Sequence, residues 1–504
     1  MLALAASLLL AADLPIVTVL HGDVKAKAGA CQSWWCPQLV VTNANTTILS
    51  AQCKSPPPGK INPDTQLWIR SSDAGQSWTA PTKRPFFGTD VGQPVYSRRT
   101  STVLWLGGAG QKAVEWEQQG DEPEQQQLVS PSCGPLDLCW ASQLPQPTAK
   151  QLAACSSLIT RSTDDGLSWD PPKLIRVNNS LGPHYTGGDI NHGIEVQRGP
   201  HAGRLAVAHH LDGCRAKGAP KLLAQGQKPP RKTPGVDGAY TRVYVLYSDD
   251  VSAAAPFPAF SPHLLSQKRR LKEALPQDGG TWTAGQLLPV GWSESQVRIF
   301  WPKFREIWGI SGRFSGILIE ILTETLAFFD QVAEMANGSL LMTGRMDGAP
   351  WWPGSGKDHH YNKTNIMNRN RGFARSDDGG HTWSEVWYLS ARPGDRQAEI
   401  GIHDTFVNEA LTSSASTMYW AHPQNTSRSR SSYTLHSSSN GGATWDFVNR
   451  VYGGGAGYSD AIVVPDPAAP GGETLLMAFQ KTFTPPVPGV EGGGYDVGLA
   501  RLPL

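Results

Sequence analysis

The pattern Ser-x-Asp-x-Gly-x-x-Trp recurs along this chain, and the recurrence restricts its fold more than any other feature. It stands at Ser71, Asp73, Gly75 and Trp78, and at Ser162, Asp164, Gly166 and Trp169. It returns at Ser376, Asp378, Gly380 and Trp383 and, with Asn440 in place of the acid, at Ser438, Gly442 and Trp445. Each copy has a local logic: the Asx side chain closes a turn on nearby backbone N–H groups, Gly supplies a positive φ, and Trp packs between strands. Such a unit is a β-hairpin turn with its own anchor. Repeated at long intervals it predicts an all-β chain built as a β-propeller, with one turn in each of several four-stranded blades.

A fifth copy is interrupted. Tyr244-Val245-Leu246-Tyr247-Ser248-Asp249-Asp250 begins it, and Asp278-Gly279-Gly280-Thr281-Trp282 finishes it after residues 251–277, a Pro-, Ala- and Lys-rich run unlike its surroundings. The same happens after Ser293-Glu294-Ser295-Gln296, where removing residues 297–331 gives Glu-Ser-Gln-Val-Ala-Glu-Met-Ala-Asn-Gly. Both runs start with Val and end with Gln, and Val-Ser or Val-Arg can be encoded by splice-donor-like codons while Gln can be CAG. Two readings stand: retained introns, or two surface insertions of the kind that long propeller loops tolerate. Residues 111–151, rich in Gln, Glu and Pro, read as a long surface loop.

The formal net charge of +1, without a basic stripe or a phosphate-cradling Gly loop, gives no case for nucleic acid. Residues 1–12 are apolar and end in small residues, which predicts a signal peptide too short to span a membrane, with 13–504 as a single domain and no integral membrane segment. Sequons at Asn45, Asn178, Asn337, Asn362 and Asn425 agree with a secreted or lysosomal glycoprotein. All seven cysteines, from Cys31 to Cys214, lie in the first half; an odd count predicts disulfides there without fixing a connectivity. No His accompanies them at finger spacing, so neither a metal nor a cofactor is expected.

The turns, together with Gly457-Tyr458-Ser459-Asp460 and Gly-Ser-Leu-Leu-Met-Thr-Gly-Arg345, resemble the sialidases (exo-α-neuraminidases) with Asp-box, or BNR, repeats. The resemblance covers most of the chain and implies a six-bladed β-propeller of four-stranded antiparallel blades that removes terminal sialic acids with retention. It implies a tyrosine nucleophile, the exception to the two-carboxylate glycosidase scheme. A neutral phenol is repelled less than a carboxylate by a sugar that carries its own carboxylate, and a Glu base beside it raises its nucleophilicity.

Carried over, the resemblance makes Tyr458 the nucleophile and Glu294, in Glu-Ser-Gln-Val, its partner. Arg345 and Arg430 become two of three arginines forking the sugar carboxylate, where lysine would give charge without the fork. Asp64, the only acid between Pro37 and Arg70, is the acid/base candidate, though Asn62-Pro63-Asp64-Thr65 also reads as an ordinary turn. His184, His192, Asp358, His359 and His360 are candidates for the rim. The first clamp position departs from the family: Trp35, in Trp35-Cys36-Pro37, stands where Arg-Ile-Pro is expected, and losing that contact costs on the order of 2–5 kcal/mol if nothing replaces it. Lys54 falls where many relatives keep a further Arg. The expected partners are sialylated glycans. Two alternatives stay open: a catalytically impaired, sialic-acid-binding propeller, and a hydrolase for another acidic sugar such as a deaminated sialic acid.

Overall fold

The computed structural model describes residues 14–23, 31–54, 65–83, 92–108, 157–170, 173–174, 177–178, 185–188, 191–212, 242–249, 282–285, 326–347, 371–384, 386–389, 407, 409–424, 430–483 and 494–504. Among them the chain is all-β, with a single 3-10 turn at Gly199–His201. No helix among the described residues is long and apolar enough to cross a membrane. Residues 1–12, 111–151 and 251–277 lie outside the described residues.

Three sheets are four-stranded. The first holds Ser33–Val41, Thr47–Lys54, Thr65–Ser71 and Thr82–Lys83 in sequence order; the second holds Gln93–Ser97, Thr102–Gly108, Ser157–Ser162 and Lys173–Leu174. The fourth in chain order holds Leu326–Glu334, Leu340–Asp347, Arg371–Ser376 and Trp387–Leu389. Between them, the third is six-stranded: Tyr185–Gly188 and Ile194–Glu195 share the edge of Leu205–Asp212, followed by Arg242–Ser248, Trp282–Ala284 and the parallel Val177–Asn178. A seven-stranded sheet completes the chain. Its long strand Asp446–Pro465 pairs with Ser431–Ser438 over one half and with Glu473–Thr482 over the other, so it divides into a fifth set (with Ala410–Ser413 and Met418–Pro423) and a sixth. The sixth is finished from the other end of the chain, because Ile16–Leu20 pairs with Tyr495–Pro503.

The predicted turns form as their chemistry requires. Ser71 Oγ accepts from the Gly75 amide (2.8 Å), Asp73 Oδ1 accepts from the Ser77 amide (2.9 Å), and Trp78 Nε1 donates to the Gly75 carbonyl (3.2 Å). In each intact copy the residue after Trp pairs with the residue before Ser: Thr79 with Arg70, Asp170 with Arg161, Ser384 with Arg375, Asp446 with Ser437. The interrupted copy obeys the same rule, since Thr283 pairs with Tyr247.

Apolar clusters fill the seams between neighbouring sets. They join first to second (Ile48, Trp68 with Tyr96, Trp105), second to third (Leu104, Ile159 with Val207, Leu246) and third to fourth (Val245 with Leu340, Met342). Fourth meets fifth through Leu341 and Phe373 against Trp420 and Trp445, and fifth meets sixth through Leu435 against Met477 and Phe479. The sixth returns to the first through Leu476 and Leu499 against Leu49 and Ile69, so the circuit of sheets closes. Trp68, Trp105, Trp282, Trp420 and Trp445 are all fully buried in these seams. Burying a large apolar side chain stabilises by roughly 1.5–3 kcal/mol, which makes the seams the main cohesive surfaces between sheets.

Candidate functional site

Two strands that begin neighbouring sets carry irregularities facing one another. In Ser33–Val41 the register with its partner shifts between Trp35 and Gln38, where Cys36 takes φ of 51° ahead of Pro37. In Asp446–Pro465 it shifts between Ala456 and Ser459, so that Gly457 and Tyr458 share the space opposite Gln480. A bulge bends its strand and re-aims the side chain it carries. Here the two bulges bring Trp35 and Tyr458 together, with ring centroids 6.0 Å apart.

Cations flank this pair. Lys54 Nζ lies 5.0 Å from the Trp35 centroid, and the Arg430 guanidinium carbon 5.1 Å from the Tyr458 centroid. Tyr495 meets Trp35 edge-on at 5.7 Å. Trp35, Lys54, Arg430 and Tyr458 are partly buried, so each packs while keeping some open surface. The Cys31–Cys53 disulfide sits at the head of the hairpin that carries Trp35 and Lys54, and Cys36 is buried below. That disulfide meets the expectation from the cysteine count; Cys133, Cys139, Cys155 and Cys214 lie outside the described residues.

Of the expected site residues, Tyr458, Arg430 and Lys54 therefore come together with Trp35. Arg345 lies in Leu340–Asp347, its backbone in register with Arg371 on one side and Phe328 on the other. Glu294 and Asp64 lie outside the described residues, as do His184, Asp358, His359 and His360.

His192 is not on a rim. It is buried, with Nδ1 2.8 and 2.9 Å from the two carboxylate oxygens of Asp460, itself fully buried. Asp460 also accepts from the Leu39 amide (2.8 Å), the Ala461 amide (2.9 Å) and Gln331 Nε2 (2.7 Å). Gln331 Oε1 accepts from the Leu411 amide, and Asn191 Nδ2 donates to the Glu409 carbonyl (2.9 Å). One buried carboxylate thus ties together the first strands of the sixth, first and fourth sets, with the third and fifth joined through its neighbours. Buried polar groups are retained when hydrogen-bonded, and here the bonds fix the strands from which the site projects. Asp460 was visible in sequence only as the end of Gly457-Tyr458-Ser459-Asp460; its partners give no local signal.

A second buried network backs the fifth set. Glu409 and Arg371, both fully buried, pair at 3.1 Å, and Trp420 Nε1 donates to Glu409 Oε2 at 2.7 Å. His422 stacks on Trp420 with centroids 3.8 Å apart, and its Nε2 lies 3.2 Å from His436 Nδ1. Burial drives the His422 pKa well below the usual imidazole value, helped by His436 and Arg371; burial alone brings His436 down to about 4. Both rings are neutral at pH 7.

No protein-family model and no curated protein sequence matches this chain. Solved structures do. The Hadza microbial sialidase Hz136 aligns over 97% of this chain and 68% of its own, with a TM-score of 0.53 and 14% identity. A leech intramolecular trans-sialidase aligns over 96% of this chain and 70% of its own, with a TM-score of 0.51 and 12% identity. The intramolecular trans-sialidase from Ruminococcus gnavus aligns over 94% and 95%, with a TM-score of 0.50 and 12% identity. At such identities the likeness is one of fold: this chain has a sialidase-like, all-β architecture.

Proposed function

We propose that this protein is a secreted or lysosomal exo-α-sialidase, a six-bladed β-propeller that hydrolyses terminal sialic acids from glycoproteins, glycolipids or oligosaccharides with retention. The observation that carries the reading is a cluster from three separate stretches of chain: Arg430 over the ring of Tyr458, Trp35 beside that ring, and Lys54 over Trp35. In this reading Tyr458 attacks the anomeric carbon while Glu294 takes its proton, and Asp64 protonates the departing oxygen. Asp64 then draws a proton from the water that releases the sugar from the tyrosyl intermediate. Arg345, Arg430 and Lys54 hold the sugar carboxylate.

Glu294 fits this role in a chain without residues 297–331. The strand Leu326–Glu334 is filled up to Gln331 by residues of that run, with Phe329 opposite Gly344. Excision joins Gln296 to Val332, so a glutamine again occupies the Gln331 position and Glu294 takes the register of Phe329, opposite Gly344 and next to the position that pairs with Arg345. The Tyr247 to Thr283 pairing is the matching argument for residues 251–277: the strand ends on either side of the run pair as they do in the intact copies.

Trp35 favours one other reading, a sialic-acid-binding protein without turnover, because an indole packs where a guanidinium would fork the carboxylate. Release of methylumbelliferone from its α-sialoside by the wild type lacking residues 251–277 and 297–331, and by its Tyr458→Phe variant, separates the two. Turnover that the substitution lowers by 100-fold or more supports the hydrolase. Sialoside binding without turnover in folded wild-type protein supports the binding module, and neither binding nor turnover rejects both.

A further inference from the structure

We infer that Gln480 is a positioning residue for Tyr458, a tie that sets the tyrosine against the Trp35 wall; this rests on the proposed function of the same site. At a bulge two residues face one, and the ladder leaves a backbone group without its usual partner. In the strand Asp446–Pro465 that happens at Gly457 and Tyr458, and the residue opposite is Gln480. Its side chain, fully buried, supplies the missing bond: Oε1 accepts from the Tyr458 amide at 2.8 Å. The other end of the same amide, Nε2, donates to the Trp34 carbonyl at 3.2 Å, next to the bulge that presents Trp35. One planar group therefore sets both bulges, and with them the 6.0 Å spacing of the Trp35 and Tyr458 rings.

The residue before the tyrosine is shaped by this tie. A Cβ on Gly457 would lie 2.4 Å from Gln480 Oε1, so the amide reaches the Tyr458 N–H only because position 457 has no side chain. Glutamine is also the side chain the geometry asks for, with an acceptor towards Tyr458 and a donor towards Trp34 on one rigid plane. An ionised glutamate keeps the acceptor and turns a second oxygen against a carbonyl. A protonated glutamate restores the donor. Methionine keeps the length and loses both bonds.

The experiment uses the full chain as wild type, Gln480→Met and Gln480→Glu, with methylumbelliferyl α-sialoside, far below the melting temperature of each. The expected result is a fall in kcat of at least 30-fold for Gln480→Met with KM within about threefold. For Gln480→Glu the deficit relative to wild type should shrink as the pH falls and the carboxyl gains its proton, a recovery that a merely structural role does not give. Hydrogen exchange of the peptide around Tyr458 is measured beside it, with faster exchange expected at that amide in Gln480→Met. Unchanged kcat in both folded variants overturns the inference. If the full chain releases no sialic acid, the same three proteins are assayed without residues 297–331, where Glu294 takes the register of Phe329; no release there either refutes the proposed function instead, and the tie is then judged by exchange alone: protection at Tyr458 equal to wild type in Gln480→Met overturns it.

Discussion

Under the proposed function, Trp35 is the residue that decides how the sugar carboxylate is held. A guanidinium at that position forks a carboxylate, whereas the indole offers a face already occupied by Lys54, a point charge on a flexible stem. Trp35→Arg is therefore expected to raise kcat/KM on an α-sialoside tenfold or more, equivalent to about 1.4 kcal/mol of transition-state binding. Steady-state kinetics checks this, and a lower value in a folded variant would mean that the indole itself takes part in recognition. That Tyr458, Arg430, Lys54 and Trp35 lie near one another was legible in the sequence only through the resemblance, which assigned all four positions to one site. Asp460, Gln480 and Gln331 were not legible as a group. Asp460 meets Leu39 across 421 positions and Gln480 meets Trp34 across 446, and no local spacing encodes such pairs.

At the level of elements, the turns were the most legible part of the chain, since an Asx acceptor, a positive-φ glycine and a tryptophan anchor all act within eight residues. Positive-φ glycines, in these turns and in the loop before Glu473–Thr482, do two jobs that substitution can separate. Gly442 has φ of +82°, and a Cβ there would lie 2.6 Å from Leu341 of the neighbouring set; Gly472 has φ of +76° with open space around it. Gly472→Ala should cost about 1–2 kcal/mol, from the backbone alone. Gly442→Ala should cost at least about 1 kcal/mol more, since a packed seam resists added volume. Chemical denaturation of the two variants tests this, and equal losses would show that the turn does not press on its neighbour. The pairing of Ile16–Leu20 with Tyr495–Pro503 was hidden for the opposite reason: the two strands are far apart in sequence, and nothing near either names the other.

For the whole molecule, the closed circuit of seams bears on which chain is the working one. If residues 251–277 and 297–331 are foreign to the fold, a chain lacking both should unfold cooperatively at the same or a higher temperature, because the Tyr247 to Thr283 pairing and the Gln331 position are both conserved by the excision. Loss of cooperative unfolding on deletion, with the full chain folded, would make the runs part of the architecture. The buried imidazoles bear on where it works. Native His436 stays neutral down to about pH 4, whereas the unfolded chain takes up that proton near 6.5. Between those values the unfolded state binds more protons, so stability falls as pH falls, by on the order of 2–3 kcal/mol at pH 4 from this residue, and is insensitive to it above about 7. His422, lowered in the same direction, adds to the slope. Melting temperatures from pH 4 to 8 should therefore decline on the acid side, and less steeply in His436→Phe, which keeps an aromatic ring in the site without the titrating nitrogen. A wild type as stable at pH 4.5 as at pH 7 would remove the imidazoles as an acid liability and favour an acidic compartment, while the expected decline favours secretion into a neutral one.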